Sequence, residues 1–406
     1  MKIGKFASKN NVTIDTIRHY MDLGLIIPEK LGGHYDFDDR CQEDFKGIVE
    51  FKDMGFTLNE IKSIFMFKRL GKLNYVQERA YRKSFFEDKY NDIKNKIREL
   101  NMAKIKLEKK IEELSIDYRH EKFKIGVSLN IISNIKCIKC GGKVVLHKGE
   151  IYDNQIINGV IQCRNCSNIY KIEDGILFTE EIKGHNKYNG NLDIIKEYMD
   201  YTALEYLENV YKGLEWTHRK IDFTQLENKI ILELGTGIGF LLRYIYNDLP
   251  SQSTYISVDK DINSQRFLKS VLEQSSVKKN ISFINGDFLN MPIANRSLDV
   301  IIDYSGTSNY SFDHEDFLLH SIDKLVKKDS YLIGAYILFD KFNFNSLIET
   351  KYRKNFILKN INQEIEKLNY KIIYQKIGDT VRRGGKYENY FAEGERVYTY
   401  IILGKR

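Results

Sequence analysis

Four of the five cysteines fall in two pairs, Cys137-x-x-Cys140 and Cys163-x-x-Cys166, separated by 22 residues. A Cys-x-x-Cys turn brings two thiolates to one side of a tight bend, so two such turns supply the four sulfurs of a tetrahedral Zn(II) shell. Gly141-Gly142 relaxes the first turn. With every ligand position filled by sulfur none is left for water, and the expected metal is structural. A second chemical signal is Gly235-Thr236-Gly237-Ile238-Gly239, directly after the apolar run Lys229–Leu234. Glycines there let the backbone approach a ligand at the carboxyl end of a strand. Glu233 stands two residues before the first of them. Asp259 lies 20 residues beyond Gly239 and closes a second strand, Thr254–Val258, where an acid can accept hydrogen bonds from ribose hydroxyls. The spacing differs from the dinucleotide pattern G-x-G-x-x-G.

Residues 190–406 supply the elements that would position the glycine turn. A third strand, Ile281–Asn285, runs into Gly286-Asp287-Phe288; a fourth follows in Asn295–Asp303; Tyr331–Phe339 makes a fifth. Tyr370–Gly378 and Val397–Leu403 read as a closing antiparallel pair. This alternation predicts a doubly wound α/β sheet of seven strands. A helical region up to Trp216, rich in Tyr and Leu, is expected to cover its pocket, after a polar linker at Lys183–Asn191.

The amino-terminal 70 residues read differently. Lys2–Asn10 predicts a short helix, and Thr13 caps a second that runs to about Leu23 and stops at Gly24. Leu25–Pro28 and His34–Phe37 flank the Gly32-Gly33 turn as a two-stranded wing, and helices follow over Asp39–Met54 and Thr57–Lys68. Over 75–118, Phe86, Tyr90, Ile93, Ile97, Leu100, Lys104, Leu107, Ile111 and Leu114 recur at steps of four and three, a heptad seam broken only by Lys104. Cys41 is expected in the head core.

Thr16-Ile17-Arg18-His19-Tyr20, then Gly24-Leu25-Ile26, resembles the recognition helix of the MerR family and its exit. Gly33-His34-Tyr35-Asp36-Phe37 falls at that family's wing tip, and Gly55-Phe56-Thr57-Leu58 with Glu60-Ile61 matches its later helices. The resemblance implies double-stranded promoter DNA as partner, contacted through Thr13, Thr16, Arg18, His19, Tyr20, His34 and Tyr35, and a homodimer formed through the 75–118 helix. Met21 replaces the usual acid after the paired aromatics, and Tyr35 replaces the usual wing arginine, which removes a phosphate contact. The stretch from Cys166 through Tyr170 to Ile176 resembles a small zinc-ribbon module, here 134–180, that activates or is fused to methyltransferases of tRNA, rRNA and translation factors.

Glu233 with the glycine turn resembles motif I of class I methyltransferases. That resemblance implies S-adenosyl-L-methionine as cofactor, contacted by Glu233, Gly235, Thr236, Gly237, Gly239, Asp259, Asp287, Phe288 and Asp303. Families that methylate exocyclic amines often carry Asp/Asn-Pro-Pro-aromatic after the fourth strand. Asp303-Tyr304-Ser305-Gly306 stands there instead, so the methyl acceptor stays open. Tyr304, Tyr310 and His314 are the catalytic candidates.

The expected architecture is therefore multidomain: an all-α winged helix-turn-helix head with a coiled-coil helix, a small zinc ribbon and a Rossmann-like seven-stranded methyltransferase domain. Composition fits it. Hydrophobic residues make up 42% of 406, enough for packed cores, and no apolar run reaches the ~18 residues of a membrane span. No membrane partner and a cytoplasmic location are expected. Residues 1–70 carry 11 Lys+Arg against 11 Asp+Glu, so net charge does not itself argue for nucleic acid. Three functions stay open. One is a regulator whose methyltransferase domain binds cofactor and methylates or senses a small molecule. Another is a methyltransferase for RNA, protein or a metabolite that uses its head for autoregulation or dimerisation. The last is an inactive cofactor sensor.

Overall fold

The computed structural model describes residues 1–72, 74–115, 123–180 and 193–406, and divides into two compact units, Met1–Tyr118 and Arg119–Arg406. The expected linker Lys183–Asn191, residues 190–192 of the expected α/β domain and residues 116–118 of the expected coiled-coil segment lie outside the described residues.

The first unit contains α1 (Ile3–Lys9), α2 (Ile14–Asp22), β1 (Glu29–Leu31), β2 (His34–Asp36), α3 (Asp39–Asp53), α4 (Leu58–Gly71) and α5 (Tyr75–Ser115). The Thr13 hydroxyl accepts the Thr16 amide at 3.1 Å and starts α2. Gly24, at φ 70°, ends the turn after it, and the amides of Leu25 and Ile26 donate back to the Tyr20 carbonyl. Those bonds correct the strand expected at Leu25–Pro28. Leu25 and Ile26 close the helix and are buried in the head core, so wing pairing begins only at Glu29, with Leu31 opposite His34. Cys41 is buried in that core alongside Phe6, Ile17, Phe45 and Ile48.

A reciprocal capping box opens α4: Thr57 Oγ1 accepts the Glu60 amide, and Glu60 accepts the Thr57 amide at 2.6 Å. Lys89 of α5 donates to the same Glu60 carboxylate at 2.9 Å and lies 5.2 Å from the Phe56 ring centroid. Phe86 stacks on Phe51 at 6.0 Å and meets Phe56 edge-on. Beyond that contact the seam is bare: Ile97, Leu100, Leu107, Ile111 and Leu114 are exposed, Leu114 at 75%.

The second unit is built on one twelve-stranded sheet. Its first strands are β3 (Val127–Ser128), β4 (Val144–Tyr152), β5 (Gln155–Cys163), β6 (Ile169–Glu173) and β7 (Ile176–Phe178), all from the cysteine-bearing segment. Helices α6 (Asp193–Tyr201) and α7 (Leu204–Lys220) follow. Then come β8 (Ile230–Leu234), α8 (Phe240–Ile245), β9 (Thr254–Asp259), α9 (Ile262–Leu272), β10 (Ile281–Asn285), β11 (Leu298–Tyr304), α10 (Gly306–Tyr310), α11 (Leu318–Ile322), β12 (Val326–Phe339), α12 (Leu358–Lys367), β13 (Lys371–Ile377) and β14 (Val397–Lys405).

Seven strands, in the order β13-β14-β12-β11-β8-β9-β10, form the expected sheet, with β8 to β12 parallel and β14 antiparallel between β12 and β13. The count differs from seven because β7 pairs in parallel with β10, Phe283 opposite Ile176, and carries the ribbon strands onto the same sheet. Strand alternation splits the core into two layers. Leu232, Ile256 and Ile301 pack with Val127 of β3 and with ribbon residues Ile156 and Leu177 on one face. Ile231, Tyr255 and Val300 pack with Leu241, Leu268 and Phe178 on the other. The chain turns from β8 toward β9 on one side and later fills β11 and β12 on the other, so the topological switch point lies between β8 and β11. A crevice is expected at their carboxyl ends.

Candidate functional site

The glycine turn sits at that switch point. Gly235, Gly237 and Gly239 all adopt positive φ (62°, 54° and 74°), a region that L side chains rarely enter. Their surroundings differ. A Cβ on Gly237 would meet nothing closer than the Gly235 carbonyl at 3.9 Å, so its outer side is open. A Cβ on Gly239 would run into the Leu268 methyls of α9. One glycine leaves room for a ligand; the other lets helix and turn pack.

A cleft of about 520 Å³ opens over the turn, with Glu233, Gly235, Thr236 and Gly237 on its wall. Asp261, Ser264, Tyr304, Ser305 and Asn309 also line it. Ser305 holds φ 73°, a left-handed conformation at a cleft wall that marks stored backbone strain. Glu233 is buried and accepts a hydrogen bond from Tyr255 at 2.8 Å. Burial pushes its carboxyl up to about 8, opposed by that bond.

The other expected cofactor residues lie around the turn without reaching the cleft wall. Asp259 accepts the Gly237 amide at 2.7 Å and the Asp261 amide at 2.8 Å, so its carboxylate braces the turn. Asp287 caps the turn after β10 and pairs with Lys260 at 3.0 Å, while the Phe288 ring packs beside Gly235. Asp303 is fully buried, accepts the Thr307 amide at 2.7 Å, and is raised to about 6 by burial. Of the catalytic candidates Tyr304 lines the cleft. Tyr310 and His314 stack on each other at 3.9 Å away from it, and the His314 carbonyl accepts from Asn355.

The structure adds a group that motif reading missed. Glu388, from the segment between β13 and β14, accepts hydrogen bonds from Tyr198 of α6 at 2.7 Å and Tyr206 of α7 at 3.1 Å, and Tyr206 bonds Tyr390 at 2.9 Å. Tyr198, Tyr206 and Glu388 all line the cleft. The Tyr-rich helical region was the only signal of this site in the sequence.

In the ribbon, the four thiols of Cys137, Cys140, Cys163 and Cys166 lie within 4.8 Å of one another, with Cys137–Cys166 and Cys140–Cys163 at 3.5 Å. Zn–S bonds of about 2.3 Å in a tetrahedron separate sulfurs by about 3.8 Å, so the cluster is compatible with a metal site. The Tyr170 hydroxyl accepts the Ile138 amide at 2.7 Å and fixes the first turn.

On the head, Thr13, Arg18, His19, His34 and Tyr35 are exposed and Thr16 is partly so, while Tyr20 is buried against Phe45 with its hydroxyl near Lys52. Arg18 pairs at the surface with Asp15. Arg69 donates to the Gly24 and Leu25 carbonyls and to Asp44, which locks the exit of α2 to α4. No helix among the described residues is long and apolar enough to cross a membrane.

Comparison with known proteins assigns both ends. Residues 1–67 match the model of the MerR HTH family regulatory protein, and residues 225–395 match a methyltransferase domain model. The chain is similar to the HTH-type transcriptional activator TipA of Streptomyces coelicolor and of Streptomyces lividans, 30% identical over 64 residues, which cover 15% of this chain. It thus spans about a quarter (25%) of the length of the curated relatives it matches. Among solved structures it is similar to MccD protein, at 10% identity and TM-score 0.36 over 47% of this chain and 97% of that one. A SAM dependent methyltransferase from Aquifex aeolicus matches at 15% identity and TM-score 0.33, over 51% and 97%. The chain carries a MerR-type helix-turn-helix domain at its amino-terminal end and a methyltransferase domain at its carboxyl-terminal end.

Proposed function

We propose that the protein is a DNA-binding regulator whose methyltransferase domain binds S-adenosylmethionine and methylates a small molecule. The observation that carries this reading is the cleft at the switch point, which joins an open glycine turn to a wall of tyrosines and a carboxylate. The open side of Gly237 and the buried acid Glu233 fit a ligand with a cationic amino-acid end, and Gly235, Thr236 and Gly237 would hold it. The cofactor would supply an electrophilic methyl group on sulfur. The chain's own residues position the acceptor and exclude water: α6 and α7 cover the pocket, and Tyr304 and Asn309 face it. The four cysteines would hold a structural zinc ion, and the exposed seam of α5 would pair with a second copy, placing two heads on a pseudo-palindromic promoter.

The ribbon supports a second reading, in which a macromolecule is the acceptor, because its strands extend the catalytic sheet instead of forming a separate module. Titration calorimetry with S-adenosylmethionine, followed by footprinting of the upstream promoter with and without the cofactor, tests the first reading. Micromolar cofactor binding and a footprint altered by it are expected. Absence of cofactor binding by the folded, zinc-loaded protein would overturn the enzyme assignment.

A further inference from the structure

We propose that the cleft binds a small molecule through a cationic amine, held between Glu388 and the rings of Tyr198, Phe240 and Tyr387. This deepens the methyltransferase reading and rests on it. The charged side chains on the cleft wall are Glu197, Glu233, Asp261 and Glu388, with no Lys, Arg or His among the described lining residues. Glu233 precedes the glycine turn and Asp261 follows β9, whereas Glu388 comes from the segment between β13 and β14.

Two phenols donate to the Glu388 carboxylate, yet among the described residues no cation lies within ion-pair distance of it. The nearby Lys386 is committed to Glu197 at 3.0 Å. Burial pushes the Glu388 carboxyl above its usual range, against the two phenol hydrogen bonds that hold it down. A carboxylate withdrawn from water without a cation gains most from a ligand that brings one.

The rings beside it suit the same ligand. Tyr198 lies 5.1 Å from Phe240 and 5.9 Å from Tyr387, centroid to centroid, so these rings form a continuous aromatic wall. Aromatic faces attract ammonium groups within about 6 Å. The Lys386 ammonium already lies 5.0 Å from the Tyr387 ring. The wall is also held in place: the Ala203 amide donates to Gly384 and the Lys386 amide to Tyr201, both at 2.9 Å, which pins the Glu388 segment to the α6–α7 joint. A phosphorylated or carboxylated acceptor would meet Glu388 with no cation to offset it.

The test compares choline with its uncharged isostere 3,3-dimethylbutan-1-ol, titrated into the full-length protein saturated with S-adenosylhomocysteine. Choline is expected to bind at least about ten-fold more tightly. Glu388→Gln, which keeps one acceptor oxygen for a phenol and turns an amide donor toward the other phenol oxygen, should bring the two probes within about two-fold while cofactor affinity stays unchanged. Tyr198→Phe, as a second variant, should give a smaller loss of preference. Equal binding of the probes by the wild type, no binding of either at millimolar concentration, or a Glu388→Gln protein that keeps the preference would each overturn the proposal. If S-adenosylhomocysteine itself fails to bind, the methyltransferase reading falls, and the same probe pair on the cofactor-free protein still decides the Glu388 site.

Discussion

Gly237→Ala and Gly239→Ala should fail in different ways, although both replace a left-handed glycine of the same turn. A non-glycine residue in that region costs about 1–2 kcal/mol. At Gly237 this is the whole cost, because the added Cβ meets nothing within van der Waals contact except the Gly235 carbonyl at 3.9 Å. For a domain of this size about 1 kcal/mol shifts Tm by about 2–4 °C, so a fall of roughly 3–6 °C is expected. The methyl would instead occupy the open side of the turn, and S-adenosylmethionine affinity should fall at least about ten-fold. At Gly239 the Cβ also collides with Leu268, which is buried on α9. Overpacking adds about 1–3 kcal/mol, which brings the expected fall in Tm to roughly 6–15 °C. Cofactor affinity of the protein that remains folded should change little. Scanning calorimetry and titration calorimetry on the same samples separate the two effects. Wild-type affinity in Gly237→Ala would refute the assignment of the turn as cofactor cradle, and lost binding with unchanged Tm in Gly239→Ala would refute the packing role of that glycine.

Zinc removal by a chelator, or Cys137→Ser, should lower the Tm of the whole carboxyl-terminal unit, because ribbon and sheet share one core; metal analysis should find about one zinc per chain. Leu107→Lys with Ile111→Lys, on the exposed seam of α5, should convert a dimer to a monomer in sedimentation equilibrium and weaken promoter binding. The Glu60 carboxyl is held down to about 2, first by Lys89 and then by the Thr57 amide. Its folded value lies below the ordinary one, so the stabilisation is present above about pH 4.5 and is lost as pH falls through 2. In acid titration followed by circular dichroism, Lys89→Met should flatten the loss of head stability across that window.

The parts of the fold that were legible in the sequence are those whose signals are local. The strands of the parallel sheet are apolar runs because both faces are covered, and each of β8 to β11 falls inside or within one residue of such a run, while β12 starts at Val326, ahead of the expected Tyr331, through the polar Lys327-Lys328-Asp329. The thiol pairs and the glycine turn announce themselves through spacing alone. The Glu388 site does not, since its hydrogen bonds span 182 to 190 residues and begin in a segment between β13 and β14 that has no regular element. The wing starts later than its sequence suggests because Leu25 and Ile26 look like strand residues, and only the burial of both behind α2 shows that they close a helix.

The place of the ribbon on the sheet follows from an edge-strand problem that no local pattern reveals. Without β7, strand β10 would present a row of unpaired amides and carbonyls, the kind of edge that proteins cover or blunt. β7 covers it with three residues buried on both sides: Leu177 enters one core layer, and Ile176 and Phe178 enter the other. So short a strand cannot hold itself there. It is delivered by the β5–β6 hairpin, whose β5 ends at Cys163, one of the four thiols. The connection continues toward the cleft. Thr179, just after β7, donates its amide to the Asn285 carbonyl at 3.0 Å, and the Asn285 side chain donates to the carbonyls of Asp259 and Lys260 at 3.0 Å each. Those carbonyls belong to the turn that carries Asp259 and Asp261, which brace and border the glycine end of the cleft. The thiol cluster is therefore tied through β7 and Asn285 to the residues proposed to receive the cofactor. A ribbon that loses its metal should loosen that end of the cleft before it loosens β12 to β14, which lie on the opposite side of the sheet.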